Sequence, residues 1–341
     1  MKALQIAEQG CIKVISLPEP VMGDDEVLLR IDYVGFCGSD LNTYRGRNAM
    51  AKPQVIPGHE VSATVVKTGR NVPAAVLPGM RVTVDPYTGC GHCKACLNER
   101  SNACEHNETM GVQRDGAMRE YIAVPWGKII QAPGLSPQSI ALIEPMSVGF
   151  HAVNRAAVTD TDIVWVIGCG MVGMGAIVRA SLRGATVIAS DIDDGKLELA
   201  HRVGAAYTIN TLKENIHDRL MELTSNLGPD VVIEAVGNPM TQQQAIENVS
   251  FTGRVTLIGY APGTTELLTK LFVQKELDIR GSRNAKPSDF RAVIHYMQTS
   301  DFPASEFISS VETPETAADA MERWNQAPGK VFRILVQFLQ F

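Results

Sequence analysis

Two groups of residues in this 341-residue chain have the types and spacing to do chemistry. The first is Gly168-Cys169-Gly170-Met171-Val172-Gly173, a G-x-G-x-x-G. An apolar run of strand length, Ile163 to Ile167, precedes it. A helical segment from about Met171 to Arg183 follows, with Gly184 as its stop signal, and a second apolar run, Thr186 to Ser190, ends on Asp191. Strand, glycine turn, helix, strand and acid is the order a dinucleotide site needs. Gly168 permits the tight turn, Gly170 leaves room for a pyrophosphate against the backbone, and Gly173 lets the helix close on the strand. The helix N-terminus at Met171 and Val172 offers free N–H groups and the positive end of its dipole to the phosphates. Asp191, 23 residues beyond Gly168, accepts hydrogen bonds from a ribose diol and repels a 2′-phosphate. Ile192, Asp193 and Asp194 after it supply no arginine, which favours NAD over NADP. Lys196 either helps to hold that ribose or is a solvated helix lysine.

The second group is Cys90, Cys93, Cys96 and Cys104, four of the seven cysteines crowded into fifteen residues. The chemistry on offer is a tetrahedral zinc held by four thiolates at ~2.3 Å, in a polar, glycine-containing loop too short to pack a core of its own. Buried free thiols and an iron–sulfur site are the other uses of such a cluster. His92 lies within the loop but is surplus to four cysteine ligands, and it reads as solvent-facing. Cys11 and Cys169 read as structural thiols.

The elements that carry these groups follow from the apolar pattern. The first ~85 residues read as a β-rich region. Its turns hold Cys37-Gly-Ser39-Asp40 and Pro57-Gly58-His59-Glu60. Glu144 stands among apolar neighbours at the start of a helix running to about Ala157, either exposed or buried for a purpose. From Val164 to Arg280 six strands alternate with helices, which means a parallel sheet covered on both faces. Helical segments Ser288 to Thr299 and Pro314 to Trp324 follow. A last strand, Lys330 to Phe338, returns to the first region.

Composition sets the outer limits. Hydrophobic residues make up 45% and charged residues 20%, with a net charge of −6, so no basic surface argues for nucleic acid. No apolar run approaches the ~18 residues of a membrane helix. The N-terminal residues MKALQIAEQGCIKV show no secretory h-region, and a cytoplasmic enzyme is the expectation.

Cys37-Gly-Ser-Asp, Gly58-His59-Glu60, the four-cysteine loop, Glu144-Pro145 and the glycine fingerprint stand in one order along the chain. Together they resemble the zinc-dependent medium-chain alcohol and polyol dehydrogenases over essentially its whole length. The resemblance implies an α/β protein with a β-rich GroES-like catalytic domain at 1–150 and 286–341, and a doubly wound parallel-sheet (Rossmann) NAD domain at 151–285. It implies two zinc ions per chain, a catalytic one on Cys37 and His59 and a structural one on the four-cysteine loop. Glu144 matches the third catalytic ligand, a glutamate in sorbitol- and threonine-dehydrogenase-like members and a cysteine in classical alcohol dehydrogenases. Glu60 can alternate with Glu144 or with water.

The implied reaction takes hydride from a secondary hydroxyl to NAD and leaves a ketone, with Ser39 as first proton acceptor through the cofactor ribose. Asn42 departs from the family, which often has a proton-carrying histidine there. An amide does not titrate near neutral pH, so the proton leaves by another group or by water. Ile279-Arg-Gly-Ser-Arg-Asn-Ala285, Arg114-Asp-Gly116 and Ala141-Leu-Ile-Glu-Pro145 are most similar to bacterial members that oxidise sugar acids such as gulonate or galactonate. For substrate grip the chain offers Tyr44, Arg45, Arg47, Arg114, Arg119, Arg283 and Asn284, with Arg283 the first choice as a carboxylate clamp. The partner is then a small polyhydroxy molecule, and the family implies a homodimer or homotetramer. A threonine or simple secondary-alcohol dehydrogenase is the nearest alternative. A zinc- and NAD-binding sensor is a different class, against which an intact Cys37, His59 and Glu144 argue.

Overall fold

The computed structural model describes residues 1–261 and 263–338. The chain divides into two compact units, Met1–Glu144 with Lys286–Phe341, and Pro145–Ala285.

The first unit is built around the strand Glu26–Gly35. It pairs antiparallel with Glu60–Thr68 along one edge. On its other edge it pairs with Tyr121–Pro125 over its first half and with Ile334–Gln337 over its second. A seven-stranded sheet results, completed by Arg81–Val84, Ile129–Gln131 and Ser310–Glu312. Alternate residues of the central strand, Val27, Leu29 and Ile31, are fully buried, as period-two patterning requires. Helix Ala317–Gln326 closes this core with Ala317, Ala320, Met321 and Trp324. The hairpin Lys2–Glu8 and Cys11–Ser16 forms its own two-stranded ladder and buries Ala3 and Leu4 in the same core.

The second unit is a six-stranded, wholly parallel sheet. Its order is Tyr207–Asn210, Thr186–Asp191, Ile163–Ile167, Val231–Glu234, Arg254–Leu257, Asp278–Gly281. The chain reverses direction across the sheet between Ile163–Ile167 and Val231–Glu234. In open α/β sheets ligands bind at the carboxyl ends of the strands at that crevice. Trp165, Val232 and Val255 are fully buried at the sheet's centre.

The alternation and the six strands stand where the sequence put them, and the differences are local. The segment after Gly35, read as a turn, contains helix Gly38–Tyr44, started by Cys37 as N-cap and by Asp40 accepting the Cys37 N–H at 2.8 Å. Ser136 caps an unforeseen short helix, Pro137–Ala141. The helix between the strands Tyr207–Asn210 and Val231–Glu234 is short, Ile216–Leu223, and Asn215 caps it through the His217 and Asp218 N–H groups. The last strand is shorter than Lys330 to Phe338. Pro328–Lys330 is a single 3₁₀ turn, and the strand starts at Ile334. Among the described residues, no helix is long and apolar enough to cross a membrane.

Candidate metal centre and cofactor site

Three segments converge at Gly35. Gly35 pairs with Glu60 across one edge of its strand and with Leu335 across the other. Cys37, two residues past Gly35, therefore meets His59, one residue before Glu60, although 22 positions separate them in sequence. A Cβ at Gly35 would lie 2.2 Å from Glu60 Oε2, so only glycine lets the carboxylate come this close. The ligand atoms of Cys37, His59 and Glu60 all lie within 4.8 Å of one another. Glu144 is not part of that group. It starts helix Ile143–Ala156, is buried, and accepts a hydrogen bond from the Tyr87 hydroxyl.

The electrostatics suit a cation. Burial pushes Glu144 up from the ordinary carboxylate range, helped by Glu60, while His59 partly offsets it. Burial likewise raises Asp40 to about 6 against the pull of His59. For His59 burial works downward, but Cys37, Glu144 and Asp40 outweigh it and set the imidazole well above its usual value. Glu60 Oε1 lies 2.9 Å from Arg333 Nη1, yet neither Glu60 oxygen nor His59 Nδ1 has an aligned hydrogen-bond partner. Buried polar atoms are normally paired. A cysteine, an imidazole and a carboxylate converging here, the last two with unpaired atoms, are a donor set for zinc. The Ser39 hydroxyl is also buried without a partner in the same unit.

Cys90, Cys93, Cys96 and Cys104 form the second group within 4.8 Å. Backbone N–H groups order the sulfurs. Cys93 N–H points at Cys90 Sγ and Cys90 N–H at Cys104 Sγ, each at 3.3 Å. Donation from the Cys96 and Glu105 N–H groups holds the Cys93 thiol low, at about 6, which favours the thiolate a metal takes. The loop is closed at its base by the ladder of Tyr87–Thr88 with Glu108–Thr109. His92 is exposed, stacked on His106 with ring centroids 6.0 Å apart.

In the second unit, helix Met171–Leu182 starts at Gly170 with no side chain capping its N–H groups. Gly168 has φ +90°, and a Cβ at Gly173 would fall 1.8 Å from the Gly168 carbonyl. Gly170 faces open space. Asp191 Oδ2 accepts from Cys169 N–H at 2.7 Å, and Oδ1 accepts from Ile192 and Asp193 N–H at 2.8 and 3.1 Å. A carboxylate has about four acceptor positions, so roughly one remains for a ribose hydroxyl. Lys196 is buried on the first turn of helix Asp194–Arg202, not solvated. Cys169 is buried with its thiol against Ser190 O, and burial pushes that thiol well up.

The substrate candidates divide. Tyr44 is not placed to grip anything, because its ring lies in the core and its hydroxyl donates to Glu322 at 2.9 Å. Arg45 is committed to Asn325 through Nε and Nη2, and the Arg119 Nε donates to Gly116 O. Arg114 Nη2 reaches Pro86 O and Thr88 Oγ1, both at 3.4 Å. Arg283 and Asn284 belong to the second unit, just past its last strand, both half-buried, with Asn284 at φ +55°. Tyr87 and Arg333 were missed by sequence reasoning. The available signal was a tyrosine three residues ahead of a metal loop, whose hydroxyl must find a partner once buried.

A glycine-turn parallel sheet and a β-rich unit holding two metal-ligand groups, in one chain, define a metal-dependent dehydrogenase. Comparison with known proteins agrees. Residues 23–134 match the alcohol dehydrogenase GroES-like domain and residues 172–299 the zinc-binding dehydrogenase family. The chain is 33% identical to L-galactonate-5-dehydrogenase of Escherichia coli K12, over 89% of each protein. An alcohol dehydrogenase of E. coli CFT073 solved with NADH superposes with a TM-score of 0.90 at 27% identity, over 99% of both chains. A Sinorhizobium meliloti 1021 protein solved with NADP gives 0.91 at 29%, over 98% of both. The chain belongs to the zinc-dependent medium-chain dehydrogenase family, and it is an oxidoreductase acting on CH–OH donors.

Proposed function

We propose that the protein is an NAD-dependent dehydrogenase that oxidises a secondary hydroxyl of a sugar acid or polyol, such as L-gulonate or L-galactonate, to a ketone. The observation that carries this reading is the convergence of half-buried Cys37 with buried His59 and Glu60, with partnerless polar atoms on the two buried members. The likeness to L-galactonate-5-dehydrogenase supports the substrate class. Zinc there would supply a Lewis acid for the substrate hydroxyl, and NAD would supply the hydride acceptor. Cys37 and His59 hold the metal with Glu60 or Glu144, and Ser39 takes the hydroxyl proton. Cys90, Cys93, Cys96 and Cys104 hold a second, structural zinc. The backbone of Gly168, Gly170, Met171, Val172 and Gly173 cradles the pyrophosphate, while Asp191 and Lys196 take the adenosine ribose. Arg283 meets the substrate carboxylate beside Asn284. Assembly as a homodimer or homotetramer in the cytoplasm completes the reading.

Turnover against a panel of aldonates, polyols, L-threonine and simple secondary alcohols, each with NAD and NADP, tests it. Aldonate oxidation with NAD is the expected result. Activity confined to threonine or to simple alcohols refutes the sugar-acid assignment. Arg283→Ala should cost about 2–4 kcal/mol on an aldonate, seen mainly in KM, and spare the matching uncharged polyol. Equal losses on both would reassign Arg283 to packing.

A further inference from the structure

We propose that Tyr87 is a positioning residue. By holding Glu144 it leaves Glu60 as the carboxylate that closes the Cys37–His59 metal site. The proposal rests on the metal-centre reading above and goes beyond it by saying which carboxylate is the standing ligand and what decides the matter.

Tyr87 is buried, and a phenol has one O–H to donate. That donor goes to Glu144 Oε1. The tyrosine itself has little freedom. Its N–H donates to Asp85 Oδ1 at 3.1 Å, and its carbonyl accepts from Lys128 Nζ. Lys128 also bonds Asp85 Oδ2 at 2.8 Å, so one lysine and one aspartate grip the Tyr87 backbone from both sides. The ring stands edge-on to Phe290, with centroids 6.5 Å apart and planes at 72°. Arg114 steadies the neighbours, Pro86 and Thr88. Tyr87 then enters the ladder at the base of the four-cysteine loop. The hydroxyl is therefore a fixed point to which the Glu144 carboxylate is tied.

Glu60 is placed by different means. Its backbone is locked opposite Gly35 in the sheet, and Arg333 stands 2.9 Å from its Oε1. Glu60 falls within the 4.8 Å group and Glu144 does not. Two carboxylates compete for one position, and the outer hydrogen bonds choose between them. Such outer partners typically change metal affinity by about 10–100-fold.

The test loads the protein with Co²⁺ in place of zinc. The visible d–d spectrum and the rate of cobalt release to a chelator are read for the parent, Glu144→Gln, Tyr87→Phe and the double variant. The Cys37→Ala spectrum is subtracted throughout to remove the four-cysteine site. The parent and Glu144→Gln should share one spectrum, because Glu144 is not a ligand while Tyr87 holds it. Tyr87→Phe should change the spectrum and slow release on the order of tenfold, as freed Glu144 reaches the metal. In the Glu144→Gln background Tyr87→Phe should change neither. A spectrum altered by Glu144→Gln alone overturns the proposal without needing any Tyr87 variant. So does an unchanged Tyr87→Phe, or a change that persists in the double variant. A parent holding no more cobalt than Cys37→Ala overturns the metal centre itself, and this proposal with it.

Discussion

At the scale of single residues, the two metal groups differ in what their loss should do. Cys37 follows a strand whose pairing is complete without a metal, two residues past Gly35. Cys37→Ala should therefore abolish turnover and leave a folded chain with one zinc instead of two, read by elemental analysis of the purified protein. Loss of both metals would sink the two-site assignment. Asp191 plays two parts. It ties the glycine turn to the second strand by accepting three backbone N–H groups, and it presents its remaining acceptor capacity to a ribose. The unmodified enzyme should prefer NAD over NADP by on the order of tenfold or more. Asp191→Ala should narrow that ratio and cost about 1–3 kcal/mol of stability, because donors are stranded. The ratio of kcat/KM values and a thermal melt check the two parts separately. Equal efficiency with both cofactors in the parent would show that Asp191 does not serve the ribose.

At the scale of elements, what was legible in the sequence was what is local in the chain. The G-x-G-x-x-G and its acid span one strand–helix–strand unit, and the four cysteines span a single loop, so composition and spacing expose both. Tyr87, Arg333 and the Gly35–Glu60 approach were not legible. Each depends on register between segments far apart, as with Arg333, which reaches Glu60 across 273 positions. Nothing in the sequence around Tyr87 announces that its hydroxyl ends on Glu144, 57 residues away. Tyr44 failed as a substrate contact for the same reason, since its partner Glu322 lies 278 residues on. The cysteine loop also carries an energetic expectation. Its two helical turns, Lys94–Leu97 and Ser101–Ala103, bury almost nothing apolar, so metal ligation is their main source of order. Cys96→Ala should lower the melting temperature by several degrees, at about 2–4 °C per kcal/mol for a unit of this size. Added zinc should not restore it. An unchanged melt would show that the loop is held by its backbone alone.

At the scale of the whole molecule, the two units differ in how the chain builds them. The second unit is one continuous stretch, Pro145–Ala285, and its six parallel strands all come from within that stretch. Its core is its own, with Trp165, Ile188, Ile209, Leu220, Val232 and Val255 buried together. The first unit is made of two stretches that need each other. Strand Ile334–Gln337 covers the far half of one edge of Glu26–Gly35, and Ala317, Ala320, Met321 and Trp324 fill the core beneath that sheet. Residues 1–144 alone would expose the far half of that edge of Glu26–Gly35 at Tyr33, Val34 and Gly35, a site for wrong pairing, and would leave Glu60 without Arg333. A fragment of residues 145–285 should therefore be soluble, melt cooperatively by circular dichroism and bind NADH by fluorescence titration. A fragment of residues 1–144 should be insoluble or unfolded, and joining 286–341 to it through a short flexible linker should restore a cooperative melt. A folded, metal-binding 1–144 fragment would show that the C-terminal strand and helix are accessories to the first unit and not part of its core.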